Sequence, residues 1–171
     1  MEREKVRGLI DAYRGNVGRR GHLQAEVKRL GHEYEMARRE MMLTMAGPRA
    51  QVISDMPKGG STPGSVVENA VLKALSGYED ERMREIRKEM EAADDELDRV
   101  RVECAYVEAW AEGLPGRERF VFECKCMSGE LWRDVFEEYQ ERYGVMVSAA
   151  TLKRLKNRAL KRIYSIAVDV V

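Results

Sequence analysis

The 171-residue chain is long enough for one ordinary domain, or for a small domain with an extended helical element. Charged residues make up 35% of it and aromatic residues 7%, which is little for one large globular core and typical of long helices. The formal net charge is zero, but it is +4 over residues 1–60, −7 over residues 61–112 and +3 over residues 113–171. A neutral total therefore does not exclude a nucleic-acid partner, because a binding surface depends on local charge.

The cysteine content and the hydropathy indicate where the protein is located and which cofactors it can hold. The chain has three cysteines, Cys104, Cys124 and Cys126, and it opens without a signal-peptide pattern, so we expect reduced thiols and a cytoplasmic protein. One residue separates Cys124 from Cys126, which directs them to different sides of a helix, and no second Cys/His cluster lies nearby. We therefore expect no metal and no other cofactor. No apolar run approaches the ~18 residues that a membrane span requires.

Residues 1–46 have the spacing of a helical segment. Apolar residues at three- and four-residue steps form two seams, which consist of Val6, Ile10, Tyr13 and Val17 and of Leu23, Val27, Leu30, Tyr34, Ala37 and Met41. The phase of the pattern slips between the seams, at Gly15, Gly18 and Gly21. Because each glycine costs a helix roughly 1 kcal/mol relative to alanine, the sequence predicts a kink, a break or a close helix crossing there.

Residues 47–64 are rich in glycine and proline and predict a loop, whereas residues 65–113 predict a long heptad-patterned helix. The loop lacks the Lys-Ser/Thr pair of a nucleotide-binding loop. The heptad seam steps regularly by three and four through Met83, Ile86, Met90, Ala93, Leu97, Val100, Cys104, Val107, Ala111 and Leu114. This seam can pack on the seam from Leu23 to Met41 as an antiparallel hairpin, or two copies of the chain can pair along it.

Residues 114–171 predict three short helices. Leu114-Pro115 opens the first, whose apolar positions are Leu114, Val121, Cys124 and Met127. The second places Trp132, Val135, Phe136, Tyr139 and Tyr143 on one face and ends at Gly144. Ser148 is a suitable N-cap for the third, whose buried side consists of Leu152, Leu155, Ala159 and Ile163.

The third helix carries only positive charge. From Ser148 to Ile163 the charged residues are Lys153, Arg154, Lys156, Arg158, Lys161 and Arg162, and none is acidic. Solvated helix faces usually mix both signs, as the second helix does. A helix that is apolar on one side and cationic on the other suits the DNA major groove, where lysine and arginine release counterions from phosphates.

These residues resemble a known motif. The segments LPGRERFVFE, SGELWRDV and SAATLKRLKNRAL are similar to the helix-turn-helix of sigma-factor region four. Together with the helical N-terminal half and the loop DMPKGG, they resemble phage-encoded late-gene transcriptional regulators of the RinA and ArpU type. Phe136 stands where the sigma pattern has a small alanine, and the stretch from Trp132 to Ser148 is several residues longer. The second of the three helices is therefore expected to be longer, or the turn wider.

The fold class predicted is all-α, with a long helical hairpin or coiled coil followed by a three-helix domain that resembles sigma region four. The function predicted is a sequence-specific DNA-binding transcriptional regulator that places its last helix in the major groove. The predicted DNA-binding residues are Arg133, Ser148, Ala150, Thr151, Lys153, Arg154, Asn157, Arg158 and Lys161. Lys153, Arg154 and Asn157 are expected at bases, and Arg133, Arg158 and Lys161 at phosphates.

The resemblance implies an activator of phage or prophage late genes, located in the bacterial cytoplasm, which contacts double-stranded DNA and RNA polymerase. The heptad pattern also leads us to expect a homo-oligomer that forms through the heptad helices. Two other classes remain open: a DNA-packaging adaptor of the small-terminase kind, which would assemble as a ring, and a coiled-coil scaffold with no salt-sensitive DNA binding. No arrangement of His, Ser, Cys and carboxylates supports catalysis, so an enzyme is not expected.

Overall fold

The computed structural model of the chain describes residues 1–45 and 79–169. Over these residues the protein is all-α, as predicted, and no strand is present. The five helices are α1 (Arg3–Met45), α2 (Glu81–Glu112), α3 (Gly116–Phe122), α4 (Trp132–Tyr143) and α5 (Ala149–Asp169). A π-helical turn, Glu123–Ser128, extends α3. None of the described helices is both long and apolar enough to cross a membrane.

The chain divides into two compact units. The first consists of Met1–Leu23 and Glu96–Val171, and the second of Gln24–Asp95. Residues of the predicted N-terminal helical segment 1–46 and of the predicted domain 114–171 both lie in the first unit. The start of α1 is joined to the end of α5 there, since the Met1 ammonium donates a hydrogen bond of 3.1 Å to the Ala167 carbonyl.

In the second unit, α1 and α2 pack antiparallel along the predicted seams. The core consists of Leu30, Ala37, Met41, Met83 and Ile86, with Tyr34, Met42, Met90 and Ala93 packed against it. All ten residues of the predicted α2 seam are buried or half-buried. The two apolar seams therefore meet within one chain, which is the hairpin arrangement of the two that the sequence left open.

The predicted break at the α1 glycines is wrong. The helix runs without interruption through Gly15, Gly18 and Gly21, which are all exposed, and a Cβ added at any of them would meet nothing within 4 Å. Among residues 1–45 and 79–169, no segment approaches these glycines closely, so they mark neither a helix break nor a close crossing. Val17 is also exposed and does not belong to the seam.

Polar residues continue the α1 seam where the apolar pattern slips. Asn16 donates a hydrogen bond of 2.8 Å to Glu103, and the Tyr13 hydroxyl donates one of 3.1 Å to Glu108. Arg20 forms a 3.4 Å ion pair with the same Glu108 carboxylate. Since these contacts all join α1 to α2, tertiary interactions offset the glycine cost in this part of the helix.

Within the described residues, the long helix predicted for residues 65–113 is present from Glu81 to Glu112. Glu79 and Asp80 are not helical, and α2 begins at Glu81. The Asp80 carboxylate accepts a hydrogen bond of 2.8 Å from the Met83 backbone N–H, which is the contact of an N-cap. The predicted loop 47–64 and the predicted helical residues 65–78 lie outside the described residues.

The three C-terminal helices pack around an aromatic core. Phe120, Val121, Cys124, Val135, Tyr139 and Leu152 are buried together, and Trp132, Phe136, Tyr143, Val147 and Leu155 pack against them. The rings of Phe120 and Tyr139 meet edge to face at 5.9 Å, a contact worth about 0.5–1.5 kcal/mol beyond its buried area. The predicted core residues of α4 and α5 are confirmed, but Phe120 and Phe122 were missed.

Phe120 and Phe122 escaped the sequence pattern because the short helix α3 buries three consecutive residues, Phe120, Val121 and Phe122, instead of one stripe at steps of three and four. The π-helical turn Glu123–Ser128 follows them. The turn ends at Gly129, whose φ of 73° is left-handed and therefore favours glycine. Arg14 covers this glycine so closely that an added Cβ would lie 2.7 Å from its Nη1.

Candidate nucleic-acid interface

A tight, capped connection fixes where α5 begins. Gly144, with a φ of 63°, ends α4, and its N–H donates to the Gln140 carbonyl at 2.9 Å. Ser148 then caps α5, because its hydroxyl accepts a hydrogen bond of 3.2 Å from the Thr151 N–H. This confirms the predicted N-cap. The Ser148 and Thr151 hydroxyls also bond to each other at 3.0 Å, so both side chains are engaged at the helix terminus.

The buried side of α5 determines which side faces solvent. Leu152, Ala159, Ile163 and Ala167 are buried, and Leu155 is half-buried. Because residues three and four apart share a helix face, the side opposite to this stripe is set by the same spacing. It carries Ala150, Arg154, Asn157, Arg158 and Lys161, all of which are exposed, and Lys153 lies exposed at its edge.

The exposed side of α5 holds a compact group of cations. Arg154, Asn157, Arg158 and Lys161 line a shallow depression of about 280 Å³ on the helix surface. Within the part of the chain that the structure describes, Lys153, Arg154, Arg158 and Lys161 form no ion pair. No acidic residue occurs in the sequence between Glu141 and Asp169. We name this surface, consisting of Lys153, Arg154, Asn157, Arg158 and Lys161, the α5 cationic face.

Two other α5 cations point elsewhere. Arg162 lies with its Nε 2.8 Å from Oε2 of Glu118 on α3, whose side chain is only 8% exposed. No donor among the described residues reaches that oxygen in hydrogen-bonding geometry, so the contact is a close ion pair. Lys156 is half-buried and lines a cavity of about 270 Å³ with Arg7, Cys126 and Tyr164. Both residues therefore belong to the packing of α5.

The remaining predicted site residues surround the start of α5 and α4. Arg133 is exposed, and its Nε lies 3.4 Å from Asp134, which neutralises part of its charge. Ala150 is exposed, whereas Thr151 is half-buried. The structure thus brings Lys153, Arg154, Asn157, Arg158 and Lys161 onto one surface. It commits Ser148 and Thr151 to the cap, and it leaves their predicted contact with DNA a prediction.

An apolar groove beside the start of α5 was not predicted. It has a volume of about 520 Å³ and is lined by Trp132, Arg133, Phe136, Val147, Ser148, Ala149 and Leu152. Phe136, which is larger than the alanine of the sigma pattern, forms part of its wall. The Lys125 ammonium lies 5.3 Å from the centre of the Trp132 ring. In the sequence, the bulky Phe136 at a position where the sigma pattern has alanine was the feature that could have indicated this groove.

The cysteines are free thiols, and Cys124 is an unreactive one. Burial, together with the nearby Glu130 carboxylate, raises the pKa of the Cys124 thiol to about 12. Its sulfur lies 3.9 Å from the Glu138 carboxylate, and the ligand-type atoms of Cys124, Glu130 and Glu138 all lie within 4.8 Å of one another. Burial also raises the pKa of the Cys126 thiol. The expectation that the chain holds no metal stays a prediction.

Comparison of the chain with protein-family models, with curated proteins and with solved structures finds no match to any of them.

Proposed function

We propose that this protein is a sequence-specific DNA-binding transcriptional regulator that inserts α5 into the major groove. The single observation that carries the proposal is the α5 cationic face. It presents one amide and four cations that have no ion-pair partner among the described residues, and no acidic residue occurs between positions 141 and 169. A cationic helix face of this kind neutralises DNA phosphates, and a polar side chain at its centre can reach base edges.

The packing of α5 also supports the proposal. A helix that enters a groove must keep its outward side free, and it must be held firmly from behind. The buried stripe from Leu152 to Ala167 and the Glu118–Arg162 ion pair hold the inner side, while the Ser148 cap fixes the N-terminus. Arg133, from the start of α4, would then lie at the flanking phosphates. The transcriptional role rests on the resemblance to the phage late-gene regulators.

The proposal is tested by fluorescence anisotropy with duplex DNA over a range of salt concentrations. The full chain is the proper sample, because residues 1–23 share a compact unit with α5. The variant Lys153→Ala/Arg154→Ala removes two exposed, unpaired cations. We expect it to weaken binding at least tenfold, because both side chains are expected at base edges. The slope of log K against log salt should change by less than about 1, since the expected phosphate contacts of Arg133, Arg158 and Lys161 remain.

The matched control is Lys28→Ala/Arg29→Ala, which removes two adjacent exposed cations of α1 in the second unit. It changes the net charge by the same amount and should leave both the affinity and the slope near those of the wild type. Equal losses in the two variants would show that total charge alone drives binding. The proposal is overturned if the wild-type chain shows no salt-sensitive binding, or if the α5 variant binds as the wild type does.

A further inference from the structure

Asn157 occupies the centre of the α5 cationic face. Lys153 and Arg154 precede it by four and three residues, and Lys161 follows it by four, so all three are its neighbours on the helix surface. Arg154, Arg158 and Lys161 line the same depression. One neutral amide therefore stands among four cations, and it is exposed to solvent.

Nothing within the described chain explains an asparagine at this position. Asparagine is among the poorer residues for a helix interior, because its amide competes for backbone hydrogen bonds, whereas lysine, arginine and alanine all favour the helix. Asn157 lies eight residues inside α5 and is too far from either end to cap it. Among residues 1–45 and 79–169 no group hydrogen-bonds to its amide.

Asn16 shows how an asparagine in a helix interior is otherwise used. Its amide donates a hydrogen bond of 2.8 Å to Glu103 on α2, so an internal partner compensates for its poor helix propensity. Asn157 has the same cost and no such partner. Its amide offers a donor group and an acceptor group side by side, whereas the lysine and arginine side chains around it can only donate.

We infer that Asn157 is the specificity-determining residue of the α5 cationic face and reads an adenine in the major groove. The inference rests on the proposed function. In the groove, adenine presents N7 as an acceptor and N6–H as a donor, which match the two ends of a carboxamide. The Asn157 Nδ2–H donates to adenine N7, and its Oδ1 accepts from N6–H. The surrounding cations have no acceptor, so they bind phosphates or guanine and cannot make this pair.

The test begins with selection of bound duplexes from a randomised pool, using the full-length wild type, Asn157→Ala and Ser165→Ala. Ser165 is an exposed neutral polar residue on the same side of α5, so its replacement is a matched control. The wild type and Ser165→Ala should enrich one common site that contains a fixed adenine. Asn157→Ala should enrich the same site with that position relaxed, and it should bind the wild-type site tenfold to a hundredfold more weakly.

A modified base then identifies the atoms. Replacing the fixed adenine by 7-deazaadenine removes the N7 acceptor and keeps base pairing. This change should weaken wild-type binding by a factor similar to that of Asn157→Ala, and it should have little further effect on the Asn157→Ala protein, because both changes remove the same contact. Thermal unfolding supplies a second readout. Asn157→Ala should be as stable as the wild type or more stable, whereas a merely structural asparagine would lose stability.

The possible outcomes separate the inference from the proposed function. An enriched site whose adenine persists in Asn157→Ala, or a full 7-deaza effect in that variant, overturns the inference and leaves the DNA-binding proposal standing. Salt-sensitive wild-type binding without any enriched site also overturns the inference. If the wild type shows no salt-sensitive binding at all, the proposed function fails and the inference fails with it.

Discussion

The α1–α2 pair and the helix α5 use positive charge in opposite ways. Cations of α1 and α2 face carboxylates across the pair: Arg19 binds Glu96, Arg20 binds Glu108 at 3.4 Å, and Arg82 binds Glu40 at 3.0 Å. On α5, the cations of the exposed face have no carboxylate partner among the described residues. Both regions are rich in arginine and lysine, so the content of basic residues alone does not distinguish them.

The difference shows what determines the role of a charged residue. In α1 and α2, acidic residues lie opposite the basic ones, and the resulting pairs connect two elements of the same chain. Most are exposed and worth less than about 1 kcal/mol each, so they help to set the alignment of the helices more than their stability. On α5, the absence of acids leaves the positive potential directed outward, where it is available to an external anion.

The largest effect is expected at Arg162, which faces a carboxylate of another helix as the cations of α1 and α2 do. Arg162→Ala leaves the buried Glu118 carboxylate without its partner and should lower the free energy of unfolding by about 2–4 kcal/mol. Lys161→Ala, one residue earlier, removes an exposed and unpaired cation and should change it by less than about 0.5 kcal/mol. Urea unfolding followed by circular dichroism measures both. Similar changes in the free energy of unfolding for the two variants would contradict the distinction between cations that face a carboxylate and cations that face solvent.

The next effect concerns the polar part of the α1 seam and depends on pH. Burial, together with the hydrogen bond to Glu108, raises the pKa of Tyr13 from 10.0 to about 12. The folded protein therefore keeps a proton that the unfolded chain loses. The resulting stability is fully present below pH 10 and is lost as the pH rises to about 12, by on the order of 2 kcal/mol.

The variant Tyr13→Phe isolates this contribution. Its free energy of unfolding should lie below that of the wild type at pH 8, and the gap should close between pH 10 and 12. Tyr106→Phe, which changes an exposed tyrosine of α2, serves as the control. Parallel stability curves for the wild type and Tyr13→Phe across this range would show that Tyr13 does not titrate as described.

The smallest effect is expected at the α1 glycines. Gly18→Ala should raise the free energy of unfolding by about 0.5–1 kcal/mol, because the helix is continuous there and an added methyl group meets nothing. Gly129→Ala should act in the opposite direction, since its φ is 73° and the methyl group would collide with Arg14. Thermal or urea unfolding decides the sign. Destabilisation by Gly18→Ala would contradict the continuous and unobstructed helix at this position.

Periodicity predicted those parts of the fold in which local spacing and packing agree. The α2 seam from Met83 to Leu114, the buried faces of α4 and α5, the helix end at Gly144 and the Ser148 cap are all found where the sequence placed them. Spacing failed in α3, because this short helix buries the consecutive residues Phe120, Val121 and Phe122 and not a single stripe. The helix break predicted near Gly18 is wrong, because helix propensity takes no account of the hydrogen bonds that Asn16 and Arg20 form with α2.

By itself, then, the sequence determined the all-α class, the faces of the helices and the presence of a cation-only helix, because helical periodicity and charge are local properties. Only the tertiary structure decided that the α1 and α2 seams meet within one chain and that residues 1–23 share a unit with α5. It also decided which α5 cations have a carboxylate partner among the described residues. Arg162 and Arg158 are alike in the sequence, and they differ because Glu118 of α3 lies beside only one of them.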